Sequence, residues 1–493
     1  MKSYIHKPLT IKKSELFDRK DFCKYSLCPK DYRKLKGSNT NLKVFSDFIT
    51  KKFRGKEIGS DAYMKRSNYR FLKTINLSNN FLLNETTIEY CKKTIGISPK
   101  PNDILIVKDG AGNGLGEVAL YTLKNENNYD LLSAGILGAE VKENYLYYIF
   151  GILKTSYFKN FVDINTAQGS TIRHSKDEAY NFAIPFPTQK HNDSPKDVEK
   201  LVSLITQNII DKEEQIKLKN QSIDNEIEKE LKANQKSTAL QYSYPKLSEL
   251  KKENRLDTTI YTPKYKVYEN LILNYTNGYF FLDEKLVSPG VTPKDYFFSD
   301  IKKSEKFKDW ITPKNIEQRQ LSSRTFIYTK TSTKIKKYSL VLNGIRYVGN
   351  GVFIENEKEF FTNQNMLIIN QFKEQIKQLF LFCFLTSNIG KSMQISRRNF
   401  GIVPILYTEN LCKIPIPNFE EKKQKEIAKS YYNKVDGLTN ISLDNYLTEH
   451  KKRNQKLGIF QLNMEIFELK EKLENLVDKI VMDEKIDIQE FFW

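Results

Sequence analysis

The sequence predicts a mixed α/β chain written twice: two α/β modules separated by two long helices that pair antiparallel as a coiled coil, with a pseudo-two-fold relation between the halves. Three observations carry this. Four landmarks recur in the same order about 230 residues apart. An extended, proline-bearing segment closes each copy. A long stretch with apolar residues at helical spacing follows each closing segment. A sustained internal repeat is read before any single motif, because it fixes how many times one structural unit is used.

The landmarks run as follows. Ser14-Glu15-Leu16 leads to Arg19-x-Asp21, Tyr25 and Pro29-Lys30, and Ser248-Glu249-Leu250 leads to Arg255-x-Asp257, Tyr261 and Pro263-Lys264. Next comes a strand-like run with glycines. Ile104-Leu105-Ile106-Val107 precedes Gly110, Gly112, Gly114 and Gly116, and Leu340-Val341-Leu342 precedes Gly344, Gly349 and Gly351. Short, continuous apolar runs bounded by turn residues read as buried strands. An aromatic helical segment follows, Tyr145 to Phe150 against Leu379 to Phe384, each trailed by a Thr-Ser pair, Thr155-Ser156 and Thr386-Ser387. Last is Ile184-Pro185-Phe186-Pro187 against Ile414-Pro415-Ile416-Pro417, where alternating proline holds the backbone extended and stops any helix before it.

The first helical stretch, from about Pro195 to Gln235, carries Val198, Leu201, Ile205, Ile209, Ile216, Ile223, Ile227 and Leu231. The second begins near Glu420, is interrupted around Gly437 and Gly458, and ends in Ile459, Leu462, Ile466, Leu469, Leu473, Leu476 and Ile480, steps of 3 and 4 that define a coiled-coil seam. An amphipathic helix packed on a globular core is the competing reading. These boundaries give four segments: 1–190 and 241–418 as modules, 191–240 and 419–493 as long helices. About forty helical residues span about 60 Å at 1.5 Å per residue. Antiparallel pairing would then put the modules at opposite ends of a rod.

Charge narrows the partner. The chain of 493 residues has 79 Lys+Arg against 60 Asp+Glu, a net charge of +19. A surplus of this size favours a polyanion, since a basic surface gains affinity by releasing counterions from phosphates, although a solvated lysine-rich surface gives the same count. The longest apolar run, Leu379 to Leu385, is far short of the roughly 20 residues that span a bilayer, and no secretory leader is evident at the N-terminus, so a cytoplasmic chain that does not engage membranes is expected. Five scattered cysteines, Cys23, Cys28, Cys91, Cys383 and Cys412, read as reduced thiols; Cys23 and Cys28 have no second pair at zinc spacing, so no metal is expected.

Catalytic patterns are weak. Asp109 to Gly116 superficially resembles a nucleotide or S-adenosylmethionine loop, but Glu117 to Tyr121 reads as another strand where a dinucleotide loop would open a helix. No Asn/Asp-Pro-Pro-aromatic tetrapeptide is present to grip an amine. A magnesium nuclease could be drawn from Pro101, Asp103, Glu140 and Lys142, with awkward spacing and no counterpart in the second half. The histidines His6, His174, His191 and His450 do not cluster in sequence. The expectation is a chain that is not an enzyme and holds no cofactor itself.

Base edges are read by Arg, Lys, Asn and Gln, while Lys, Ser and Thr hold phosphates. The first module offers Gln168-Gly169-Ser170-Thr171-Ile172-Arg173-His174 just upstream of its closing segment; the second offers Ser396-Arg397-Arg398-Asn399 at the corresponding place. Lys51, Lys52 and Arg54 form one basic patch, and Lys330, Lys334, Lys336 and Lys337, with Arg346, form another. Arg173 and Arg398 are expected to read bases, and Lys51, Lys52 and Lys336 to hold phosphates.

On these residues the chain resembles a type I restriction–modification specificity subunit. The resemblance spans nearly the whole chain and rests on the duplicated Arg-x-Asp, on Asn102-Asp103-Ile104-Leu105 with its glycines, on Gly169-Ser170-Thr171-Ile172-Arg173, and on each IPxP before a long helix. It implies two target-recognition domains that read a bipartite double-stranded DNA site. It also implies two methylation subunits that carry S-adenosylmethionine chemistry on adenine N6, and a translocating restriction subunit in some assemblies. The second half departs from the pattern, with Arg397-Arg398-Asn399-Phe400-Gly401 in place of the GSTIR string. Three other readings stay open: a partner that fuses nuclease and methyltransferase, a self-contained enzyme with disguised motifs, and a basic coiled-coil scaffold.

Overall fold

The structure is a computed structural model that describes residues 3–12, 14, 32–94, 96–110, 114–123, 129–166, 172–190, 192, 194–237, 242, 244–253, 255–299, 302–329, 335–356, 360–371, 374–399 and 401–492. It is mixed α/β and divides into two compact units, Met1–Glu213 with Gly437–Asn454 and Glu465–Trp493, and Glu214–Asp436 with Gln455–Met464.

In the first unit an antiparallel pair, Ile5–His6 with Lys34–Leu35, precedes strands β1 (Leu42–Val44), β2 (Ile49–Arg54), β3 (Tyr63–Met64), β4 (Tyr69–Leu72), β5 (Glu89–Cys91), β6 (Ile104–Val107), β7 (Asp109–Gly110), β8 (Val118–Leu120), β9 (Tyr129–Leu132) and β10 (Ile136–Val141). Helices α1 (Leu146–Leu153) and α2 (Ser156–Ile164), then strands β11 (Arg173–His174) and β12 (Ala183–Pro185), lead to the long helix α3 (Pro195–Ala233). One four-stranded antiparallel sheet has the order β8-β6-β10-β2. A second has the order β9-β4-β5-β3, with its β9–β4 pair parallel. Strand β6 is buried along its whole length, which explains its unbroken Ile-Leu-Ile-Val sequence. Its Leu105 and Val107 meet Leu72, Leu77, Leu132 and Ile136 in the unit's core.

The second unit repeats this plan. After helices α4 (Leu247–Glu253) and α5 (Pro263–Leu273) come β13 (Tyr279–Phe280), β14 (Val287–Pro289), β15 (Tyr296–Ser299), β16 (Lys308–Ile311), β17 (Thr325–Thr329), β18 (Leu340–Asn343), β19 (Gly351–Phe353), β20 (Phe360–Thr362) and β21 (Met366–Ile369). Helices α6 (Gln375–Leu385) and α7 (Asn388–Ser396), strand β22 (Ile416–Pro417) and helix α8 (Glu421–Tyr431) follow. The antiparallel sheet has the order β19-β18-β21-β14, and its companion the order β20-β16-β17-β15 with the β20–β16 pair parallel. Strand for strand, the two four-stranded sheets repeat the connectivity of the first unit; the short antiparallel pair Ile316–Glu317 with Gln320–Leu321 has no counterpart there among the described residues.

The repeat extends to details that differ in sequence. Each central strand is entered through a left-handed residue, Asn102 (φ 75°) before β6 and Tyr338 (φ 61°) before β18. Each parallel-paired strand leaves through a short turn locked by a buried asparagine. Asn76 Oδ1 accepts the Lys73 amide at 2.7 Å, and Asn315 Oδ1 accepts the Thr312 amide at 3.0 Å. One register differs from the sequence alignment. Phe186 N bonds Asn41 O beside the β12–β1 pair, as Asn418 N bonds Gly278 O beside β22–β13. Ile184-Pro185 therefore matches Ile416-Pro417, two residues beyond the expected Ile414-Pro415. A strand's side chains alternate with period two, so this slip keeps the same face inward and the sequence pattern cannot detect it.

Helices α9 (Tyr446–Lys456) and α10 (Ile459–Val481) follow, and then a 3-10 turn at Ile488–Phe491. Both anticipated apolar rows are buried, Val198 to Leu231 on α3 and Ile459 to Ile480 on α10. The part of α3 that belongs to the first unit is covered on more than a seam, with Val202, Thr206, Asn208, Ile210 and Lys212 buried as well. Farther along, burial narrows to Ile216, Asn220, Ile223, Ile227 and Leu231, a single stripe. Within the first unit the pairing is antiparallel. Asn192, before α3, accepts the Ile486 amide beyond α10, while Lys212 reaches Glu465 at 2.5 Å and Asn454 at 2.6 Å. Desolvation would raise the Glu465 carboxyl, but Arg453 and Lys212 outweigh it and hold the carboxyl below its usual range.

Candidate nucleic-acid interface

In the first unit, the chain leaving β6 makes strand β7, which pairs antiparallel with β11 through Arg173↔Gly110 and His174↔Asp109. This two-residue ribbon fixes where the loop before Arg173 begins. Gln168, Gly169, Ser170 and Thr171 lie outside the described residues. The Arg173 guanidinium bonds the Asp163 carboxylate at 2.7 Å and its carbonyl at 3.0 Å. Arg33 approaches the other carboxylate oxygen at 2.7 Å, so two arginines share one aspartate. His174 is 62% exposed, with Nδ1 2.9 Å from Asp109, whose other oxygen bonds Lys108. Lys51, Lys52 and Arg54 are exposed on β2, the edge strand of its sheet. Lys52 lies 5.0 Å from the ring centre of Tyr180, whose hydroxyl donates to Gly138 O at 2.9 Å.

In the second unit the Arg397-Arg398-Asn399 string follows α7, and its three side chains have different fates. Arg397 was grouped with the DNA-binding residues on sequence; its side chain is only 6% exposed and pairs with Glu253 at 3.2 Å and Glu269 at 2.7 Å. Burial would raise the Glu269 carboxyl, but Arg397 and Lys266 outweigh it and hold it low. Arg397 is thus a structural tie between α7, α4 and α5, and not a group facing a ligand. Arg398 is half-buried and Asn399 exposed. The repeated Arg-x-Asp motif explains their placement. Arg255, fixed by Asp257 at 2.6 Å, donates to the carbonyls of Arg397 (3.2 Å) and Arg398 (2.8 Å), and Tyr261 donates to the Arg255 carbonyl at 2.7 Å. The corresponding Arg19 and Asp21 lie outside the described residues.

Beyond Asn399 the chain turns back on itself. Asn399 and Ile405 form a bridge closed by Asn399 N to Ile405 O at 2.8 Å, and Ile405 also bridges Ile345. Asn410 donates to Asn399 Oδ1 at 2.8 Å, which directs the Asn399 amide nitrogen to other acceptors. Arg346 follows the bridged Ile345, exposed and left-handed at φ 58°. Lys336 is exposed ahead of β18, and Lys330 and Lys334 lie outside the described residues.

The bridges define how the two loops correspond. Leu406 N bonds Gly344 O as Ser175 N bonds Lys108 O, so Ile405 stands where His174 stands and Val403 where Ile172 stands. Arg398, expected to match Arg173, lies six residues upstream of Pro404, the true counterpart. Sequence reasoning missed Ile402, Val403 and the Arg255 clamp. The available signal was the apolar Ile402-Val403-Pro404, which follows the polar Arg397-Arg398-Asn399 after Phe400-Gly401.

The catalytic lookalikes have ordinary structural uses. Asp103 caps its turn, accepting the Lys100 amide at 2.6 Å, and Lys142 bonds the Asp47 carbonyl at 2.8 Å. Burial raises the Asp103 carboxyl, against the Lys100 amide, which lowers it. Among the described residues no group of three or more His, Cys, Asp and Glu could hold a metal ion, and no helix is long and apolar enough to cross a membrane.

Fold and surface together define a basic chain with a duplicated two-sheet module, in which the matched bridged positions carry an exposed His174 in the first copy and lie beside the exposed Asn399 and Arg346 in the second. No protein-family model and no curated protein matches it. Among solved structures it is similar to the type I restriction–modification S subunit from M. genitalium, at 13% identity and TM-score 0.36 over 92% of this chain and 99% of that one. It is also similar to a chain from a structure of the type I R-M system (10%, TM-score 0.28, 91% and 100%) and to the HsdS subunit from Thermoanaerobacter tengcongensis (10%, TM-score 0.24, 89% and 96%).

Proposed function

We propose that this chain is the DNA-reading specificity subunit of a type I restriction–modification methyltransferase. Each two-sheet unit reads one half of a bipartite double-stranded site, and the long helices dock two methylation subunits. The transfer from S-adenosylmethionine to adenine N6 takes place on those partners, and in some assemblies a restriction subunit joins. The observation that carries this reading is the reuse of one pair of four-stranded sheets, with the same strand connectivity, in a chain of net charge +19. One catalytic fold gains little from being written twice with different loop residues, whereas two readers of different half-sites require that arrangement. Phosphate contacts fall to Lys51, Lys52, Arg54 and Lys336; base contacts fall to Arg346, Arg398 and Asn399 in the second unit and to the segment ending in Arg173-His174 in the first.

Two measurements test it. The chain alone, incubated with labelled S-adenosylmethionine and mixed-sequence DNA, should incorporate no label, and methylation should appear with the partner subunits. Replacing residues 14–187 with the module of another such subunit should then change one half of the methylated sequence and leave the other intact. Label incorporated by the chain alone, or a swap that alters both halves, would overturn the reading.

A further inference from the structure

The apolar tip of the second unit's loop does not fit a surface that only neutralises phosphates. Ile402 is 105% exposed and Val403 is 47% exposed. They are held out by a rigid base: the Asn399–Ile405 bridge, the Ile345–Ile405 bridge and the Leu406 N to Gly344 O bond at 2.8 Å. Pro404 stiffens the return, and the Arg255 guanidinium clamps the start through the Arg397 and Arg398 carbonyls. Single exposed apolar residues are ordinary. Here, however, two are adjacent, and the corresponding place in the first unit also holds an exposed β-branched residue, Ile172 at 54%. Polar and cationic groups flank the tip, with Arg398 and Asn399 before it and Arg346 beside the bridged Ile345.

A duplex offers one apolar group on its base-pair edges in the major groove, the 5-methyl of thymine. A β-branched side chain has few rotamers, so it loses little entropy when it packs on so small a target. We infer that Ile402 and Val403 read a thymine methyl in the half-site bound by the second unit, while Arg346, Arg398 and Asn399 supply the polar contacts around it. This deepens the DNA-reading assignment and rests on it. The alternative use of an exposed isoleucine is as a wedge that unstacks a base step from the minor groove.

The test uses the complex of the full chain with its methylation subunits and the duplex carrying its mapped site. Thymines of the second half-site are replaced one at a time by uracil, which removes only the methyl group. Wild-type complex should bind one uracil duplex roughly fourfold more weakly, the amount expected for one buried methyl-sized group. The Ile402→Ala/Val403→Ala variant should bind the thymine duplex with the same loss and no longer distinguish thymine from uracil at that position. A variant that keeps the wild-type thymine preference overturns the inference. So does a second half-site with no A·T pair. So does equal weakening on both duplexes with loss of DNA bending, which is the wedge outcome. Failure of the underlying assignment looks different: the complex then shows no preference between its site and a scrambled duplex.

Discussion

Two buried side chains in the first unit carry consequences out of proportion to their size. Lys154 donates to the carbonyls of Ser78 (3.1 Å), Asn80 (2.7 Å) and Val118 (2.8 Å). Burial pushes its pKa down to about 7, with Lys159 and Lys470 adding to the depression and Glu117 and Glu213 opposing it; the three carbonyls match the three donors of the ammonium. Lys154→Met keeps the stem and orphans three acceptors. At about 1–3 kcal/mol for each unsatisfied buried group, softened by relaxation, the loss should be about 3 kcal/mol, read as a lower denaturation midpoint at unchanged slope. His450 acts through pH. Burial pushes its pKa down to about 3, Lys212 and Arg453 repel its charged form, and Glu465 only partly offsets them. The folded state therefore binds fewer protons than the unfolded state below the ordinary histidine value. The histidine's contribution to stability is fully present above about pH 6.5 and falls with acid by up to about 1.4 kcal/mol per pH unit. The low-lying Glu465 carboxyl adds a loss of the same sign only below the ordinary carboxylate range, while the raised Asp103 carboxyl acts with opposite sign above it, so the histidine is read from the difference between two proteins. From pH 6.5 to 5 the stability of His450→Phe should fall less steeply with acid than that of wild type; a slope equal to wild type would assign the effect elsewhere.

At the scale of elements, the two asparagine turns make the cleanest comparison. Asn76 Nδ2 donates to Thr87 Oγ1 at 2.9 Å, and Asn315 Nδ2 donates to Thr325 Oγ1 at 3.1 Å. Asn76→Ala and Asn315→Ala should each destabilise by about 1–3 kcal/mol. Hydrogen exchange followed by mass spectrometry should place the faster exchange in β4 and β5 for the first variant and in β16 and β17 for the second. Faster exchange spread over both units would contradict two independently built modules. These turns were not legible in the sequence, because Lys73-Thr74-Ile75-Asn76 and Thr312-Pro313-Lys314-Asn315 share only the final residue. The strand β6, the helices α1 and α6, and the apolar rows of α3 and α10 were legible, because each depends on a period that the sequence displays directly. The candidate site was only partly legible. Arg397 looks like a ligand-facing arginine beside Arg398, and its acidic partners stand 144 and 128 residues earlier in the chain. Only folding brings them together, so no local pattern could separate the tie from the reader.

For the whole molecule the decisive quantity is how the net charge of +19 divides between general attraction and discrimination. Lys51 and Lys52 sit exposed on an edge strand, where a long flexible ammonium can follow a phosphate without fixed geometry. Arg346 sits on a left-handed residue beside a bridged position, where the backbone fixes the direction of a planar, two-donor group. These settings predict different behaviour in salt. Lys52→Ala should weaken binding equally on specific and scrambled duplexes and lower the slope of log affinity against log salt by roughly one. Arg346→Ala should cost about 1–3 kcal/mol on the specific duplex, far less on the scrambled one, and relax the sequence at one position. Fluorescence anisotropy of the complex on both duplexes at several salt concentrations separates the two. If Arg346→Ala weakened both duplexes alike, its fixed backbone would serve only the electrostatic surface, and the reading of bases by the second unit would fall to Arg398 and Asn399.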